Sequence, residues 1–162
     1  RGAFPVFKYE QTQAEIYGFD LVSSMEFNEK WSALLKYSFI QGNDLDNREP
    51  IVFLTSNNLR TELNYQIPLK GQWENLELQL NHQSVFEQTH INADQDFVPP
   101  PETYHLIGFK ASVARMLGKN KLNATLQINN LFNTGYRDYL NRQRYFADDI
   151  GRNITIALNY TF

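Results

Sequence analysis

Asn153-Ile154-Thr155-Ile156-Ala157-Leu158-Asn159-Tyr160-Thr161-Phe162 is the stretch that decides the fold. Ile154, Ile156, Leu158, Tyr160 and Phe162 share one parity, and Asn153, Thr155, Ala157, Asn159 and Thr161 the other. Extended, the segment therefore has one apolar and one polar face, whereas on a helix the five apolar positions would be spread around the axis. It reads as a β-strand. What its apolar face meets, a second sheet or lipid, decides function.

Moving toward the N-terminus, the same period of two returns in segment after segment. Leu122, Ala124, Leu126 and Ile128 alternate with Asn123, Thr125, Gln127 and Asn129, and Ile107, Phe109, Ala111 and Val113 with Gly108, Lys110, Ser112 and Ala114. Leu76, Leu78 and Leu80 stand against Glu77, Gln79 and Asn81, and Leu59, Leu63, Tyr65 and Ile67 against Arg60, Glu62, Asn64 and Gln66. Trp31, Ala33, Leu35, Tyr37 and Phe39 alternate with a face holding Ser32, Lys36 and Ser38, and Tyr17, Phe19 and Leu21 with Gly18 and Asp20. The pattern predicts about seven strands and no helix.

Two lengths of connection separate these strands. Residues 27–30, 68–71 and 117–120 make short turns, while 43–56, 88–102 and 132–150 are long. In an up-and-down sheet the two kinds fall at opposite ends. Short periplasmic turns alternating with long external loops are the plan of an outer-membrane barrel, whereas connections of roughly 4–6 residues prevail in compact soluble domains. Strands of about ten residues, at about 3.3 Å rise and a tilt of about 45°, cover roughly the 25 Å apolar band of such barrels. Trp31, Trp73, Tyr104, Tyr160 and Phe162, near strand ends, suit interfacial aromatic girdles, and the faces rich in Asn, Gln, Glu and Lys suit a wet lumen. The predicted fold is all-β, an antiparallel up-and-down meander belonging to a transmembrane β-barrel. A soluble β-sandwich binding module with three long recognition loops is the alternative that periodicity leaves open.

Composition removes several functions. Among 162 residues there are twelve Phe and nine Tyr, yet mean hydropathy is negative because apolar and polar side chains are finely interleaved. No run approaches the roughly 20 apolar residues of a membrane helix. Residues 1–5 lack the apolar stretch of a signal peptide, so the protein reads either as cytoplasmic or as missing the start of its gene product. A formal charge of −3 offers no basic footprint for nucleic acid, and the absence of Cys removes disulfides, thiolate metal sites and Cys nucleophiles. Glu74 and Glu77, three apart, point to opposite faces of a strand and make no local glycosidase pair. No nucleophile, base and orienter assemble for an esterase or lipase, so no enzyme activity is expected. His82, His90 and His105 lack metal-ligand spacing; Asn43, Asp44, Asp46 and Asn47 lack the distal Glu of a calcium loop and read as a polar turn. No cofactor is expected.

The stretch Asn129-Asn130-Leu131-Phe132-Asn133-Thr134-Gly135-Tyr136-Arg137-Asp138-Tyr139-Leu140, followed by Gly151-Arg152-Asn153 and a strand ending in Phe162, closely resembles the C-terminal signature of TonB-dependent outer-membrane receptors. That signature is an Asn-Leu-Phe-Asn segment after the penultimate strand, an aromatic-rich loop, Gly-Arg-Asn opening the last strand, and a terminal aromatic. Ala14-Glu15-Ile16-Tyr17-Gly18-Phe19-Asp20-Leu21 is similar to an earlier barrel strand of the family, and Pro99-Pro100-Pro101 resembles its Bacteroidetes-type members. The resemblance implies that residues 1–162 are the C-terminal segment of a larger barrel of roughly 22 strands, whose N-terminal plug and earlier strands lie outside this chain. It implies the outer membrane of a Gram-negative bacterium and import of a scarce ligand such as a ferric siderophore or similar iron complex. It further implies contact with outer-membrane lipid and, for the full-length protein, with TonB and the barrel-assembly machinery. About seven strands alone would leave two unpaired edges and too little wall to enclose a channel.

The signature residues also have direct physical readings. Asn130 and Asn133 can start a turn by bonding nearby backbone, Gly135 permits positive φ, and Leu131 and Phe132 can pack over the rim. Gly151 relaxes the backbone where the last strand re-enters the sheet, and Arg152 is placed to pair with Asp148, Asp149 or a lipid phosphate. Phe162 resembles the assembly signal of the family. Tyr136, Arg137, Tyr139, Arg142, Arg144 and Tyr145, with Phe146, are the candidate ligand-facing residues, since Arg can grip an anion bidentately while Tyr stacks on it. Packing of this long loop on itself at the rim is the other reading of the same residues.

Overall fold

The structure, a computed structural model, describes residues 11–162; the leader reading of residues 1–5 lies outside them. In chain order the strands are β1 Ala14–Glu26, β2 Trp31–Asp44, β3 Glu49–Pro50, β4 Asn58–Ile67, β5 Leu76–Val85, β6 Tyr104–Leu117, β7 Asn120–Asn129 and β8 Asn153–Thr161, and two 3-10 turns, Ala93–Gln95 and Arg142–Tyr145, lie in the long loops. They form one antiparallel sheet in the order β1-β2-β4-β5-β6-β7-β8, with β3 paired to the end of β2. The fold class is the predicted all-β up-and-down meander. Among the described residues the strands number eight rather than about seven, because β3, two residues folded back through Asn43↔Pro50 and Asp44↔Glu49, is too short to alternate. No helix among the described residues is long and apolar enough to cross a membrane.

Register joins separate alternations into one surface. Met25, Ala33, Leu63, Leu80, Phe109, Ile128 and Ile154 are successive cross-strand partners from β1 to β8. A neighbouring row runs Tyr65, Leu78, Ala111, Leu126, Ile156. Slipping any pair by one residue would move a whole strand's apolar set to the other face. On that other face Gln79, Lys110, Gln127 and Thr155 align, Gln79 Nε2 donates to Glu62 Oε2 at 2.9 Å, and Ser38 Oγ donates to Asp20 Oδ1 at 2.6 Å.

Among the described residues nothing covers the apolar face. Phe19, Leu80, Ile156 and Leu158 are exposed, Ile156 at 74%, and the buried apolar residues among those described are only Val85, Ala114 and Tyr139. A sandwich requires a second sheet on this face, and the described residues form a single one.

Connections segregate as the lengths predicted. Asn28 Oδ1 accepts from the N–H groups of Lys30 and Trp31, closing the β1–β2 turn, and Gly118, at φ +68°, supplies the left-handed residue of the β6–β7 turn. The turn expected at residues 68–71 runs on to 75, held by a bridge of Trp73 to Arg115, whose guanidinium lies 5.2 Å from the Trp73 ring centroid. The Trp31 ring lies tilted against Tyr65, centroids 4.3 Å apart, and Tyr160 lies 6.4 Å from Phe162, so these aromatics and Trp73 gather at the short-turn end. Tyr104 does not join a girdle: it takes the polar face and donates to Asp138 Oδ2 beneath the long loops.

Candidate functional site

The loop between β7 and β8 begins with two asparagines in the left-handed region, Asn130 at φ +49° and Asn133 at φ +54°. Asn130 closes the turn from both sides, its side chain accepting from Thr134 N and donating to Thr134 O, each at 2.8 Å. Asn can occupy this region because its short amide bonds the local backbone. Positive φ thus falls on the asparagines and not on Gly135. Asn133 Oδ1 accepts from Arg152 N at 2.8 Å and ties the loop's two ends together. A Cβ on Gly151 would stand 2.6 Å from that same oxygen, so the glycine is required by close approach. Phe132, 71% exposed, does not pack over the rim.

Arg144 is the hub of the loops. Asn141 caps its 3-10 turn by accepting from Gln143 N. Only 2% exposed, Arg144 donates to Asp96 Oδ2 at 2.5 Å and to Pro99 O at 3.2 Å, and its guanidinium lies 5.1 Å from the Tyr139 ring and 4.7 Å from the Tyr145 ring. Tyr145 OH donates to the second Asp96 oxygen at 2.8 Å. A charge removed from water must be paired and hydrogen-bonded to persist, and here both charges are. The β5–β6 loop is thereby locked to the β7–β8 loop. The β2–β4 loop joins through Phe53, which stacks on Tyr139 at 6.0 Å and lies 3.8 Å beneath the Arg142 guanidinium, and the end of β2 joins through Asn43, paired with His90 at 2.8 Å.

All six predicted residues come together, in unequal roles. Arg144 and Tyr139 face inward, while the Tyr136 ring lies tilted against that of Tyr104, centroids 4.7 Å apart. Arg137 and Arg142 remain exposed; Arg137 pairs with Asp148 at 2.6 Å and also donates to Arg144 O. Asp148, offered by the sequence to Arg152, is thus held by Arg137, and Asp149 accepts from Asp138 N and Asn141 Nδ2. Asp96 and Phe53 escaped the sequence reading because they lie on other loops with no periodicity linking them to Arg144. Burial pushes the Tyr136 and Tyr145 hydroxyls above the ordinary phenol range; the carboxylates of Asp149 and Asp138 add to the first, and the hydrogen bond to Asp96 to the second. Asp44 Oδ1 accepts from Asp46 N and Asn47 N as the polar-turn reading has it, and among the described residues no three His, Cys, Asp or Glu converge for a metal ion.

No protein-family model matches this chain, and no curated protein matches it. Among solved structures it is similar to one described as the copper transporter OprC, with a TM-score of 0.77 and 17% identity over 93% of this chain. The chain spans 24% of the length of that structure. The likeness is one of fold, an antiparallel up-and-down sheet.

Two outcomes follow from the hub. Asp96→Ala leaves the Arg144 charge buried and unpaired, at a cost of about 3–5 kcal/mol; the loops between β5 and β6 and between β7 and β8 are expected to become protease-sensitive together while the strands stay protected. The raised tyrosines give a sign with pH: their contribution to loop stability is whole below about pH 10, the unfolded phenol value, and is lost as pH rises through the folded values. In ultraviolet titration, Tyr145→Phe is expected to remove a phenol that ionises above the ordinary range, and loss of an ordinary one instead would contradict the Asp96 contact.

Proposed function

We propose that this chain is the C-terminal part of the barrel wall of a TonB-dependent outer-membrane receptor, a non-catalytic transporter that imports a scarce ligand across the outer membrane of a Gram-negative bacterium. The observation that carries the reading is the continuous, uncovered apolar face across seven long strands, with every long loop at one end of them. The fold likeness to a transporter and the Asn129–Leu140 and Gly151–Asn153 signature support it. In this reading the apolar face meets outer-membrane lipid, and β1 and β8, edges of the described sheet, pair with the earlier strands of the same receptor. The plug, TonB and the barrel-assembly machinery are the remaining partners of the full-length protein. Phe162, 97% exposed beside Tyr160, serves as the assembly signal.

The experiment is fractionation of cells making the full-length product, followed by gel mobility with and without heating in detergent. Outer-membrane recovery with a heat-dependent shift is expected; a soluble product without a shift would sink the reading. The faces supply a second arm. Leu126→Arg, on the apolar face, is expected to destabilise the refolded barrel by about 2–4 kcal/mol if it lies near the bilayer midplane, and Thr125→Arg, on the opposite face, to change it little.

For the ligand we infer an anionic metal complex of the ferric-siderophore type, approached by Arg137 and Arg142 on a platform that the Arg144–Asp96 pair holds in place. Arg137→Ala with Arg142→Ala in the full-length receptor is expected to lower uptake of such complexes while leaving surface abundance unchanged. Unaltered uptake across the anionic candidates tried would remove this assignment and leave the barrel reading standing.

A further inference from the structure

One cation interrupts the apolar face. Arg115 shares the parity of Phe109, Ala111 and Val113, whereas Lys36, Arg60, Lys110 and Lys121, the other Lys and Arg residues of the described strands, fall on the polar face. Arg115 belongs to a row across the short-turn end, Trp73, Arg115, Leu122, Tyr160, in which each residue is the cross-strand partner of the next. Met116 N donates to Gln72 O and Glu74 N to Ala114 O, both at 2.8 Å, and these bonds clamp the β4–β5 connection onto β6. The Trp73 ring is thereby held 5.2 Å from the Arg115 guanidinium.

Stacking on an indole occupies a face of the guanidinium and leaves its N–H edge for an acceptor. Among the described residues no carboxylate pairs with Arg115. Glu74, next to Trp73, is bound to Lys121 Nζ at 2.7 Å, and Lys121 belongs to the opposite face. Two residues back along β6, toward the middle of the sheet, the apolar face dips into a trough of about 290 Å³. There Ala111 and Ala124 leave room between Leu76, Val113, Leu126 and Ile156. A cation thus stands at the short-turn end of an apolar groove.

We propose that Arg115 and this trough seat one anionic glycerophospholipid of the leaflet on the short-turn side. Its phosphate accepts from the open edge of the guanidinium, and an acyl chain lies along the trough. Charge and polarity together select the occupant. A guanidinium without a carboxylate on an apolar face calls for an anion, which its planar fork can grip bidentately, and the groove beside it calls for an apolar chain. Head at the end of the sheet and tail toward its middle is the direction of a lipid in a bilayer. A zwitterionic head fits less well, because the nearby carboxylate of Glu74 is already paired and cannot receive its ammonium. The inference rests on the reading that this face meets lipid.

The test uses the full-length receptor in detergent, first run for its heat-dependent shift and then incubated with phosphatidylglycerol or phosphatidylethanolamine and read by native mass spectrometry. Phosphatidylglycerol is expected to be retained about fivefold better, the scale of one basic residue at a lipid surface. Arg115→Gln, which removes the charge, and Ala124→Phe, which fills the trough, are each expected to abolish that preference while keeping the shift. Excess inorganic phosphate is expected to leave the bound lipid in place, and displacement by it would make this a site for the free anion. A shifted barrel that retains the two lipids equally, that keeps its preference in the variants, or that loses the lipid to phosphate overturns the site alone. Absence of the shift overturns the site and the membrane reading together.

Discussion

Backbone pairing between consecutive strands is the constraint on which everything else here depends. Each strand hydrogen-bonds to the next long one in sequence, and the side-chain period of two then fixes the face of every residue at once. The row from Met25 to Ile154 shows a second effect. It starts next to the end of β1 and finishes at the second residue of β8, so it climbs nearly a strand length across the sheet. A climb of about ten residues at about 3.3 Å, over strands about 4.8 Å apart, sets the strands roughly 45–50° from the axis of a level-rimmed barrel. Span and tilt thus come from one register.

The rim obeys different physics. Above the strands the ladder continues only as the short β3 pairing, and side chains join local backbone turns in ordering the loops. Asn130, Asn133 and Asn141 take over turn and cap roles. Arg144 and Asp96 place a fully paired charge at the centre of three loops. Such a pair contributes little as a net attraction but penalises any arrangement that separates it, so it selects one loop conformation more than it adds stability. The exposed arginines inherit that definition: Arg137 donates to the carbonyl of Arg144, and Arg142 lies over Phe53, itself stacked on Tyr139.

The strands were legible in the sequence because alternation is local. Leu76, Leu78 and Leu80 declare a face without reference to any partner, and the loop lengths order the ends. β3 was not legible, since two residues cannot show a period. The candidate site was legible as a composition and hidden as a geometry. Tyr136, Arg137, Tyr139, Arg142, Arg144 and Tyr145 do lie together, yet Arg144 faces inward because its partner Asp96 sits 48 residues away on another loop. Asp148 went to Arg137 for a related reason: both belong to one loop that folds back on itself, which linear proximity to Arg152 does not reveal. His82 and His105 show no metal spacing in the sequence; what brings them together is a cross-strand register that places Ser84 opposite His105, its Oγ within hydrogen-bond reach of both rings.

Sequential strand order also governs how such a wall can be built. Because every long strand pairs with its nearest long predecessor, each hairpin can be laid onto the growing edge without waiting for distant chain. The long connections slow this little, since closure entropy rises only with the logarithm of loop length. The Arg144–Asp96 contact is different, for it requires both the β5–β6 and the β7–β8 connections to be in place. The rim contact therefore couples two connections that the strand ladder by itself leaves independent.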